Sequence, residues 1–86
     1  MHTNMSGFER KKLEADLQNF ANRNFERPSN CRDIDQIRFY VRELCIKIRE
    51  YESRFNFVPH QAYSLLAQYN LAQNRLIHVE FRKAYC

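Results

Sequence analysis

The sequence predicts an all-α fold: a three-helix bundle, or an antiparallel helical hairpin with an N-terminal helix packed across it. Three observations lead there. Apolar residues recur at Ile34, Ile37, Val41, Leu44, Ile48, Tyr51 and Phe55, spaced 3, 4, 3, 4, 3 and 4, which is the a/d seam of an amphipathic helix. A second seam, Ala62, Leu65, Tyr69, Ala72, Leu76 and Val79, repeats the spacing 3, 4, 3, 4, 3, and the short connection before it makes the two helices antiparallel neighbours. One glycine and two prolines in 86 residues leave few tight turns, as expected of helices joined by short connectors.

Taken in order, residues 1–5 are expected to be a flexible tail and residues 6–86 a single helical domain, with helices over about 7–25, 31–54 and 59–83. Ser6-Gly7-Phe8-Glu9 has the S-x-x-E form of a capping box and opens the first helix. Its stripe is Leu13, Leu17, Phe20 and Ala21, with Phe8 and Phe25 at the ends; Asp16 is placed toward water. Asn19, Asn22 and Asn24 weaken its second half, so it should end near Phe25. Arg27-Pro28-Ser29-Asn30 breaks the chain, with Ser29 or Asn30 placed to cap the second helix. Along that helix Asp35 precedes Arg38 by three residues and Glu43 precedes Lys47 by four, spacings that suit surface ion pairs, with Arg42 one heptad after Asp35 on the same surface. Phe55-Asn56-Phe57-Val58-Pro59 is the second break, with Pro59 suited to the first turn of the third helix.

Composition excludes several function classes. At 44 % apolar and 28 % charged the chain is expected to fold, and no apolar run is long enough to span a bilayer. Charges of both signs on each helix argue against a membrane-surface role. The single glycine excludes phosphate-cradling loops and dinucleotide folds, which need several. Cys31, Cys45 and Cys86 form no CxxC pair, and the N-terminus lacks the apolar core of a secretory signal. A reducing compartment, cytoplasm or nucleus, is the expectation.

No catalytic or metal constellation emerges. His60 and His78 lie eighteen residues apart on the third helix while Cys31 and Cys45 belong to the second, so neither a metal site nor a cofactor is expected. Cys45 and His60 have no third orienting group, and the chain reads as a non-enzyme. Glu43 and Glu50 are one heptad apart on an exposed stripe, where a solvated face suits them better than acid/base work.

What remains is an apolar surplus. Phe39 and Ile46, seven residues apart, lie opposite the seam where an ordinary pair of helices puts charge. Ile77 and Phe81 lie off the third helix's seam in the same way. These four residues, with Arg42 and Arg49 as a polar rim, are the expected partner-binding surface of a small non-catalytic adaptor or complex subunit. The expected partner is a protein with an acidic or amphipathic helical segment, or a second copy in a homodimeric scaffold. A basic nucleic-acid-binding protein is the alternative, given a net charge of +4 and pI near 9.2, although the arginines alternate with acids.

Overall fold

The row Ile34 to Phe55 forms a helix whose start and stop are both chemically marked. Asp33 is extended and its carboxylate accepts from the backbone N–H of Asp35 at 3.0 Å, satisfying one of the helix's orphan donors. At the other end Asn56 takes the left-handed conformation, φ 51°, and its N–H donates to the Glu52 carbonyl at 3.0 Å. Cap duty therefore falls to Asp33 rather than Ser29 or Asn30, which are bound up in a 3-10 turn; the second helix starts at residue 34, not 31.

The computed structural model describes residues 7–85, with side chains described through Val79. Its elements are α1 (Gly7–Asn24), the 3-10 turn Pro28–Asn30, α2 (Ile34–Phe55) and α3 (His60–Tyr85). The expected tail and the Ser6 half of the capping box lie outside the described residues. Helix α1 stops where expected, with the Asn24 amide donating to the Phe20 carbonyl at 2.9 Å. Helix α3 begins one residue after Pro59, which is itself buried and whose carbonyl accepts from Ala62 at 3.0 Å.

The architecture is the all-α one, an antiparallel α2–α3 hairpin crossed by α1. Ile37, Leu44, Ile48 and Tyr51 of α2 meet Ala62, Tyr69 and Ala72 of α3 in the core, with Leu17 contributed by α1. The seams end where the partner helix ends. Ile77 lies beside Ile34, the first residue of α2, so Val79 has run past its neighbour and remains exposed. Phe55, the last residue of α2, is likewise 38 % exposed.

The direction of α1 follows from its contacts. The Arg10 guanidinium lies 5.4 Å from the Phe57 ring in the α2–α3 turn, while Phe25 just beyond α1 stacks on Tyr40 at 4.7 Å and meets Tyr69 at 5.8 Å. Helix α1 therefore runs antiparallel to α2 and parallel to α3, an up-down-up order. This cluster also buries Tyr40, which is off the seam. Phe8, expected to finish the stripe, is instead 76 % exposed, because on the opening turn of α1 no described residue covers it.

The backbones of α1 and α2 stay apart, and long side chains span the gap. Tyr51 donates its hydroxyl to Asp16 at 2.5 Å, and Lys47 reaches Asp16 at 3.6 Å and Glu50 at 3.2 Å. The Lys47 ammonium also lies 5.0 Å from the Phe20 ring and 5.3 Å from the Tyr51 ring. Asp16 thus clamps α1 to α2, although the stripe placed it toward water. The clamp floors an open groove of about 650 Å³ lined by Leu13, Asp16, Lys47, Tyr51 and Phe55 among others. The expected pairs of Asp35 with Arg38 and of Glu43 with Lys47 do not form. Exposed long side chains gain little from pairing in water, and Lys47 is drawn to α1 instead.

Candidate interaction surface

At about 100° per residue, Phe39 and Ile46 project roughly opposite Ile37, Val41 and Leu44, the side chains that face α3. The structure leaves them half-exposed, at 51 % and 52 %. Their position follows from a helix that is one element thick at this point: α3 takes the seam and α1 takes the side marked by Tyr40 and Lys47, which leaves the outer face uncovered. Arg42 and Arg49 are exposed along one edge of the Phe39–Ile46 line. Glu43 and Glu50 run along the other edge, nearer α1, and Glu43 is half-buried there. Among the described residues, Arg38, Arg42 and Arg49 form no ion pair; Lys47 alone takes up carboxylates.

Of the other residues singled out from sequence, Ile77 is 42 % exposed but lines a shallow depression with Ile34, Asp35 and Arg38. It lies at the rim of the α2–α3 seam, beside α2 residues that stand roughly 40° (Asp35), 100° (Arg38) and 140° (Ile34) around the helix from Phe39. The side chain of Phe81 lies outside the described residues. Leu71, at 63 %, is the most exposed aliphatic side chain among the described residues of α3. The acidic edge of the outer face was visible in sequence as the Glu43–Glu50 heptad pair, but only its position beside Phe39 and Ile46 gives it a role.

Cys31 and Tyr69 are engaged structurally. Cys31 is buried and its thiol donates to the Arg27 carbonyl at 3.3 Å; burial, then the charge of Glu26, pushes its pKa above the ordinary thiol value, the reverse of an activated nucleophile. Tyr69 donates to the Glu26 carbonyl at 2.6 Å, so the same loop is tied to α3 from two side chains. No three His, Cys, Asp or Glu side chains converge on a metal-sized site among the described residues. No described helix is long and apolar enough to cross a membrane.

The comparisons return nothing. No family model, curated protein or solved structure matches the chain.

Proposed function

We propose that the chain is a small non-catalytic interaction module, an adaptor or subunit of a larger intracellular complex, that docks through the outer face of α2. The observation that carries this reading is the half-exposed pair Phe39 and Ile46 beside Arg42 and Arg49, which have no carboxylate partner among the described residues. An aromatic and a branched aliphatic flanked by uncompensated arginine is the composition of an interface core with its rim. Fully burying a Phe or Ile contributes about 1.5 to 3 kcal/mol, so residues already half-buried add about half of that each. Two such anchors make a modest interface, and the arginines then govern selectivity and encounter rate toward a surface bearing carboxylates. The three widely spaced cysteines, with no CxxC pair, support a reducing cytoplasmic or nuclear compartment.

Phe39→Glu with Ile46→Glu tests the reading directly. The double variant is expected to keep the circular-dichroism helix signal and thermal transition of the parent while losing the proteins that co-purify with the tagged chain. Collapse of the helix signal would make both residues part of the core and end the proposal.

Arg38, Arg42 and Arg49, which form no ion pair among the described residues, also favour a second reading, contact with nucleic-acid phosphates. It is weaker because Glu43 and Glu50 border the same face. Under it, Arg42→Glu with Arg49→Glu abolishes retention on DNA or RNA and the parent's affinity falls steeply with salt; retention that ignores salt removes this reading.

A further inference from the structure

From Phe39 to Glu50 the outer face of α2 carries opposite charge on its two edges, with Asp35 alone interrupting the arginine edge one turn before Phe39, and this symmetry narrows the choice of partner. Phe39 and Ile46 form the middle line. Arg42 and Glu43 fall roughly 40–60° to either side of it, as do Arg49 and Glu50. Arg42, Arg49 and Glu43 have no ion pair among the described residues, and Glu50 is held by Lys47 through Oε1 alone. A wholly acidic partner satisfies the arginine edge but is repelled by the glutamate edge. A wholly basic partner has the converse fault. The face asks for a partner with an apolar line between a basic and an acidic edge, and the chain itself presents such a surface.

We infer that a second copy of the chain covers this face, with the two α2 helices running parallel about a twofold axis. The inference rests on the reading of the face as an interface. A twofold axis along the helices turns the basic edge of each copy toward the acidic edge of the other. Arg42 then lies across from Glu43 of the second copy and Arg49 across from Glu50, and the second copy's arginines meet Glu43 and Glu50 of the first in return. With helix axes about 8–10 Å apart, the opposed backbones are close enough for direct Arg–carboxylate contact. Phe39 and Ile46 each stack on their own counterparts, so the two anchors of one chain become four in the pair. The antiparallel arrangement sets like edges together, with Arg42 facing Arg42 and Glu43 facing Glu43. Parallel pairing is the one the charges select. Helix α1, on the Tyr40 and Lys47 side, stays clear of this contact.

The test is the mass of the purified full chain in solution, with charge-swapped partners. Light scattering or sedimentation equilibrium should show the mass rising with concentration from 10.5 kDa toward twice that value. Arg42→Glu/Arg49→Glu and Glu43→Arg/Glu50→Arg should each weaken self-association by about tenfold or more, since every opposed pair becomes like-charged. An equimolar mixture of the two variants should regain the dimer, because one then presents two acidic edges and the other two basic edges. Should a swapped variant fail to fold, Ile46→Cys with Cys45→Ser and Cys86→Ser reads the geometry instead: mild oxidation should link two copies through position 46. A parent chain that stays monomeric at the highest attainable concentration overturns the inference. So does a dimer whose two charge-swapped variants do not complement, or whose position 46 does not cross-link. A monomeric parent whose Phe39→Glu/Ile46→Glu variant still loses its co-purifying protein removes the second copy but keeps the interface. A dimer that survives Phe39→Glu/Ile46→Glu removes both.

Discussion

Tyr51 joins the core to the surface within a single side chain. Its ring is buried against the α2–α3 seam while its hydroxyl emerges to meet Asp16, and the Lys47 ammonium lies over the same ring. Burial above all, then the hydrogen bond and charge of Asp16 and the charge of Glu50, raises the Tyr51 pKa far above the ordinary phenol value of 10.0. Burial does the same to Tyr69, helped by Cys31, Tyr40 and Glu26. Both groups are neutral in the folded chain where the unfolded chain would ionise. Their contribution is thus fully present below pH 10 and is lost as the pH rises above it. Unfolding by denaturant should show stability falling above about pH 10, together with the rise in tyrosinate absorbance; a flat profile would contradict the burial of these hydroxyls. Tyr51→Phe should cost about 1–2 kcal/mol, the low end for a hydrogen bond to a charged group because Asp16 is exposed, and should flatten part of that alkaline slope. None of this pairing was legible in sequence: Asp16 and Tyr51 are 35 residues apart, and their meeting depends on the angle at which α1 crosses α2.

At the scale of the elements, the α2–α3 hairpin is built from local instructions. Seven seam residues, a carboxylate cap at Asp33 and a left-handed Asn56 delimit α2, and Pro59 precedes α3. Asn is among the few non-glycine residues that visit the left-handed region readily, through local hydrogen bonding of its short side chain. Asn56→Gly should therefore leave the melting temperature unchanged or higher, whereas Asn56→Val should destabilise by about 1–2 kcal/mol, since a β-branched side chain crowds the backbone there. Equal effects of the two would mean that the turn is not strained toward positive φ. The first helix was less legible. Its stripe named Leu17 and Ala21 correctly as buried, but Phe8 had no surface to cover, and Phe25, just beyond the helix, became the point where all three helices meet. Periodicity marks which side of a helix is apolar and is silent on how far the neighbouring element extends.

The whole molecule is long and thin. Its radius of gyration is 15.7 Å and its extents are 58 × 24 × 16 Å, against a radius of about 12 Å expected for a compact chain of this length. So extended a shape has much surface for its volume, and its core is a single file of side chains between α2 and α3. Helix α1 contributes Leu17 and Ala21 to buried positions where α2 contributes Ile37, Tyr40, Leu44, Ile48 and Tyr51. Hydrogen exchange should accordingly show amides of α1 opening at lower free energy than those from Tyr40 to Ile48, with equal protection in both helices contradicting the clamp-and-groove geometry. The same thinness explains the uncovered outer face of α2. A second layer is missing there, and an added partner is the ordinary way for a small domain to bury what its own core cannot.

By itself the sequence determined the all-helical class, the pairing of the two seams, their short connection and the outward placement of Phe39 and Ile46. All of these follow from periods of three and four residues, which a single helix expresses without help from the rest of the chain. The tertiary structure alone decided that Ile77 belongs to the seam rim, that Tyr40 is buried, that Lys47 and Asp16 form a clamp, and that the expected surface ion pairs stay apart. It also decided that Glu43 and Glu50 border Phe39 and Ile46 on a face that no helix of this chain covers. Those outcomes depend on where α1 crosses the hairpin, which is set by contacts distant in sequence and carries no period of its own.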